Sequence, residues 1–215
     1  MNYYDKYKKT DIDNKTYIDF ITKESVKRIN LNDDTNIIKI LNKYLINLDK
    51  LICLDFHGIT DLYELDEKIP SNLPKIVISY IGGKPKTILD TTTVIKSRLL
   101  TNDIILGIIV YKKNTVPSCG TKGWIISKFI DINKNIKIFF IDDSIKNIKC
   151  VDNVKSKNII SYYVNKHENP KVYLTDILNK ITSIVNDSIQ ITRTNKSIGG
   201  KNLIIKKKRK DVLDR

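Results

Sequence analysis

The amino-acid sequence predicts an α/β fold: a doubly wound, mainly parallel five-stranded sheet of the Rossmann-like kind. Two observations carry this. Five short apolar runs, rich in β-branched and aromatic residues, lack the apolar–polar alternation of a half-solvated strand and read as strands buried on both faces. Between them lie segments long enough for crossover helices, and strand–helix alternation over five strands marks a doubly wound sheet.

Residues 1–32 are polar, with scattered tyrosines and no clear period, and read as an extension. Ile37, Ile38, Leu41, Tyr44, Leu45 and Leu48 then fall at helical spacing, behind Asp33 and Asp34, either of which can cap an N-terminus. That spacing predicts an amphipathic helix over 34–48. The strand runs are 50–55 (KLICLD), 75–80 (KIVISY), 104–111 (IILGIIVY), 137–142 (KIFFID) and 158–164 (NIISYYV). Crossovers are expected over 87–100, over 123–130 and after Asp143. Leu174, Ile177, Leu178, Ile181, Ile184 and Val185 form a last helical stripe. The expected organisation is an N-terminal extension with its helix (1–48), an α/β core (49–192) and a basic tail (193–215).

Composition narrows the function classes. Of 215 residues, 41% are hydrophobic and 29% charged, which excludes wholesale disorder. Cys53, Cys119 and Cys150 are odd in number and far apart, so neither a disulfide framework nor a zinc spacing is expected. The start, MNYYDKYKKTD, has no apolar targeting core, and no run approaches a membrane span. A cytoplasmic protein in a reducing compartment, with no membrane partner, is the expectation. The net charge of +14 suggests an acidic partner such as nucleic acid. Nine Lys/Arg against two Asp over 193–215 concentrate half of that excess in the tail, led by Lys206, Lys207, Lys208, Arg209 and Lys210. The chain is also saturated with Ile, Lys and Asn and has no alanine, so part of the lysine excess reads as AT-rich coding bias on solvated faces.

Ligands of an open parallel sheet bind outside the carboxyl ends of its strands. The first run ends at Asp55, followed by Phe56, His57, Gly58, Ile59 and Thr60; the second ends at Ser79; the fourth ends in Asp142 and Asp143. Lys122 opens the helix that leads into the fourth run. Carboxylates from neighbouring strands suit a hard cation that retains water, so a magnesium phosphate site is expected. A hydroxyl and an ammonium would hold and neutralise the other phosphoryl oxygens. A carboxylate such as Asp55 can itself attack phosphorus and pass through an aspartyl-phosphate.

In these residues the chain resembles the haloacid dehalogenase-like (HAD) phosphohydrolases, over about residues 50 to 165. LICLDFHGIT is similar to their first motif at Asp55, Gly58 and Thr60, and KIVIS to their second at Ser79. Lys122 stands for the third, with Lys128 the other choice, and IFFIDD is similar to the fourth. The resemblance implies Asp55 as nucleophile, Ser79, Gly58 and Lys122 as phosphate-binding, and Mg²⁺ held by Asp55, Asp142, Asp143 and the backbone carbonyl of His57. It departs at His57, where the family carries an Asp that serves as general acid and base. Only 23 residues separate Asp55 from Ser79 and 42 separate Ser79 from Lys122, too few for a large cap domain. A bare site of this kind would admit a bulky phosphorylated substrate, a macromolecule as well as a small molecule, with nucleic acid reached through the tail. Trp124 reads as helix-face packing, Cys53 and Cys150 as core or near-core filler, and His167 as a surface loop residue.

Overall fold

The computed structural model describes residues 16–60, 68–82, 85–99, 104–112 and 120–198. It is an α/β structure built on one seven-stranded, mostly parallel sheet. In chain order the elements are β1 (Thr16–Ile21), β2 (Val26–Asn30), α1 (Asp34–Leu45), β3 (Lys50–Asp55), a single helical turn (Phe56–Thr60), β4 (Lys75–Gly82), α2 (Pro85–Arg98), β5 (Ile104–Lys112), α3 (Gly120–Ile132), β6 (Lys137–Asp142), α4 (Ile145–Asp152), β7 (Ile159–Tyr163) and α5 (Pro170–Ile198). The five expected strands are all present, and the expectation of five in total is corrected to seven.

The two additional strands come from the polar segment. β1 lies antiparallel between β5 and β2, with Ile18 paired to Val110 and to Ile29. Its apolar residues Ile18, Phe20 and Ile21 are buried, but Asp19 sits among them at 1% exposure and breaks the apolar run. Arg28, its cross-strand partner, grips that carboxylate with two hydrogen bonds of 2.8 and 2.9 Å. A bidentate guanidinium is what makes a buried carboxylate tolerable in a strand.

Helices cover both faces. Ile37, Leu41 and Leu45 of α1, Ile125, Ile126 and Phe129 of α3, and Ile148 and Val151 of α4 pack on the face that carries Leu51, Cys53, Ile138 and Phe140. The opposite face takes Ile88 and Ile95 of α2, and Leu174, Leu178 and Ile181 of α5. Asp33 caps α1 by accepting from the Asn36 N–H at 3.2 Å. The helix ends at Leu45 rather than 48; the Asn133 amide satisfies the Leu45 carbonyl at 2.9 Å and, in the turn beyond, the Leu48 carbonyl at 2.8 Å. Gly107 interrupts β5 for a packing reason: a Cβ there would collide with Ile95 of α2. Trp124 and Cys53 are core residues, as expected, and Cys53 is a free thiol. Cys150 is disulfide-bonded, which corrects the reading of three reduced cysteines. α5 reaches Ile198, and the rest of the expected basic tail lies outside the described residues. Among the described residues no helix is long and apolar enough to cross a membrane.

The strand order β2-β1-β5-β4-β3-β6-β7 locates the ligand crevice. From β3 the chain winds through β4 to β5 on one side, then returns to place β6 and β7 on the other, all five strands parallel. The order therefore reverses between β3 and β6, and an open sheet has its crevice at that switch point, beyond the strands' carboxyl ends. Asp55 ends β3 and Asp142 ends β6.

Candidate metal centre

Asp55 and Asp142 terminate neighbouring strands on one sheet face. Leu51 pairs with Ile138 and Cys53 with Phe140, so the alternation carries both carboxylates toward the α1/α3 side. Lys122, in the first turn of α3, meets them there. Its buried ammonium donates to Asp55 Oδ1 and, at 2.6 Å, to Asp142 Oδ2. Asp142 is held further by the Ser144 N–H at 2.8 Å and the Asn147 amide at 3.1 Å, and Asp55 Oδ1 accepts from the Phe56 N–H at 2.8 Å. Asp143 completes the group: one ligand oxygen from each of Asp55, Asp142 and Asp143 lies within 4.8 Å of the others.

The turn after β3 shapes the floor. Thr60 Oγ1 donates to the Asp55 carbonyl at 2.5 Å and folds the segment back on the strand. Gly58 has φ +85°, and a Cβ there would run into the Asp143 carboxylate. The Gly58 backbone therefore lies close beside the Asp143 carboxylate. Gly58→Ala meets a backbone penalty and a steric one together. It is expected to lower the melting temperature and to weaken cation binding, read as a smaller thermal shift with Mg²⁺ than wild type gives. The His57 side chain is exposed, its ring edge-to-face with Phe56 at 4.9 Å.

Three carboxylates face two ammonium groups here, Lys122 and Lys166, the latter 3.0 Å from Asp143 Oδ2. Burial pushes the Asp55 carboxyl up from its ordinary 3.8 to about 7; Lys122 opposes the rise, and the Asp142 and Asp143 charges reinforce it. Lys122 is pulled down by burial but raised on balance by Asp55 and Asp142. Between pH 3.8 and about 7 the folded chain thus binds a proton at Asp55 that the unfolded chain has lost. This contribution to stability is full below that window and gone above it. Without divalent cation, stability should therefore fall as pH rises through the window. A divalent cation held by these carboxylates would compete with that proton, so the stabilisation produced by added Mg²⁺ is expected to grow over the same range. Thermal unfolding at pH 5 and pH 8, with and without Mg²⁺, reads both, and Asp55→Asn should remove the proton-linked part.

The structure brings together Asp55, Lys122, Gly58, Asp142 and Asp143 from the residues singled out in the sequence. It also decides between the two lysines: Lys128 pairs with Asp34 at 3.0 Å and lies over the Trp124 ring, away from the group. Ser79 lies within β4 rather than at its end, paired with Ile109. It alternates with Val77 and Ile81 onto the α2 face, and its buried hydroxyl has no partner among the described residues. Its phosphate-binding role rests on the family resemblance alone. Asn147 and Lys166 escaped the sequence reading. Lys166 follows the fifth strand run at the same rim, and that position is the signal; a chain so rich in lysine hides it. His167 is exposed, as expected.

Compared with known proteins, the chain matches no family model, no curated protein and no solved structure.

Proposed function

We propose that the protein is a magnesium-dependent, HAD-like phosphohydrolase that cleaves a phosphomonoester through an aspartyl-phosphate at Asp55. The observation that carries the reading is the meeting of Asp55, Asp142 and Asp143 at the switch point, with Lys122 between the first two. Oxygen donors alone, in a group richer in carboxylates than in ammoniums, fit a hard divalent cation. When bound, Mg²⁺ would neutralise phosphoryl oxygens and hold them against Asp55. Asp142 and Asp143 would be its carboxylate ligands beside Asp55, and the family resemblance adds the His57 carbonyl as a further one. Asp55 then attacks phosphorus and the P–O bond to the alcohol breaks, that oxygen taking up a proton. Water cleaves the aspartyl-phosphate, releasing phosphate and restoring the carboxylate. Lys122 steadies charge on the transferring group, and the exposed His57 ring, standing where the family has its Asp, supplies and recovers the proton.

The decisive assay is release of phosphate from phenyl phosphate by the full chain, with Mg²⁺ and with chelator, wild type beside Asp55→Asn. Magnesium-dependent release that requires Asp55 is the expected result. A second reading has one observation in its favour, His57 in place of the family's acid. On it the chain is a catalytically degenerate HAD-like fold that binds nucleic acid or protein, in part through its basic C-terminal segment. No release from any phosphomonoester, together with retained binding to nucleic acid, would favour that reading.

A further inference from the structure

Of the two lysines paired with the acidic group, Lys122 is sealed in, whereas Lys166 keeps 55% of its side-chain surface exposed. An ammonium has three donors. Asp143 Oδ2 takes one of them, and no other hydrogen-bond acceptor engages Lys166 among the described residues. Asp55, Lys122 and Asp142 close the inner side of the site, so the leaving group of a phosphomonoester seated on Asp55 has to extend outward. Lys166, bonded to Asp143 with more than half of its side chain exposed, is the cation on the solvent side of the group. Three residues earlier Tyr163 ends β7 in register with Asp142, its side chain part-exposed.

We infer that Lys166 is a specificity-determining cation that selects phosphomonoesters carrying a second negative charge one nucleotide away, as at the phosphorylated end of a polynucleotide. The inference rests on the phosphohydrolase reading. A terminal phosphate on a polynucleotide always has a charged diester one step along the chain. A part-exposed tyrosine three residues from an ammonium that keeps donors to spare offers the intervening base a stacking surface, and a net charge of +14 favours a polyanion.

The test uses the full chain with Mg²⁺ and three substrates: a 5′-phosphorylated thymidine dinucleotide, the same dinucleotide with a neutral methylphosphonate linkage, and phenyl phosphate. Wild type should prefer the charged dinucleotide over its neutral twin by about tenfold in kcat/KM, carried by KM, the size expected of one charge-assisted hydrogen bond. Lys166→Met should reduce that preference to about twofold or less, and Lys166→Arg should preserve it. A preference that survives in Lys166→Met, or an equal loss on all three substrates, would overturn the inference; the second result would mean that Lys166 only steadies Asp143. Binding of the two dinucleotides, labelled at the 3′ end, to Asp55→Asn separates this from the parent reading. No turnover, with tighter binding of the charged twin that depends on Lys166, sinks the phosphohydrolase and leaves the cation's role standing. Turnover of phenyl phosphate with no preference between the twins does the reverse.

Discussion

Asp55→Asn is expected to lower magnesium-dependent phosphate release by at least about 10³-fold, or about 4 kcal/mol of transition-state stabilisation. An amide oxygen cannot form the acyl-phosphate, so the covalent route closes, while the neighbouring charges still bind and orient substrate. The fold should survive. The carboxyl is buried and held up near 7 in the ligand-free protein, so a neutral side chain of the same shape removes a charge that burial already disfavours. Asp142 retains Lys122, Asn147 and the Ser144 N–H as partners. A thermal melt of the variant at or above the wild-type temperature at pH 8 is the control that separates lost chemistry from lost structure. Activity within about tenfold of wild type, in the same magnesium, would exclude Asp55 as nucleophile.

Lys122→Met should have the largest effect on stability. It removes the cation that bridges two buried carboxylates and leaves both uncompensated, and breaking a buried pair in this way costs about 3–5 kcal/mol. For a chain of this size that is roughly a 6–20 °C fall in melting temperature. The loss should be greatest at pH 8, where the demand for a positive charge is greatest, and smaller at pH 5, where Asp55 holds its proton in the ligand-free protein. Added Mg²⁺ should recover part of it by supplying positive charge to the same oxygens. Lys128→Met is the comparison, since Lys128 sits between Asp34 and Trp124 with Asp34 more than a third exposed; its loss should cost about 1 kcal/mol or less and show no response to Mg²⁺. Equal, magnesium-insensitive losses in the two variants would mean that Lys122 only fills space.

What was legible in the sequence follows from burial. A run such as KIFFID or KLICLD has no polar face, so it must be covered on both sides whatever its neighbours are, and all five such runs are strands within a few residues of the expected bounds. The same logic located Asp55 and Asp142, because a carboxylate that closes an apolar run stands where the strand leaves the core. The helical stripes of α1 and α5 were legible for the same reason. What the sequence could not reveal depends on partners distant along the chain. β1 escaped because Asp19 interrupts its apolar pattern, and the Arg28 that compensates it arrives only through strand pairing. Lys122 and Lys128 are alike in composition and lie on one helix; six residues at 3.6 per turn send them to different neighbours, one to the carboxylates and one to Asp34. Lys166 became visible only once β7 was set beside β6, which brings the residues after Tyr163 next to Asp143. Hydrophobic period is written into the chain locally, whereas register and the pairing of charges are properties of the assembled sheet.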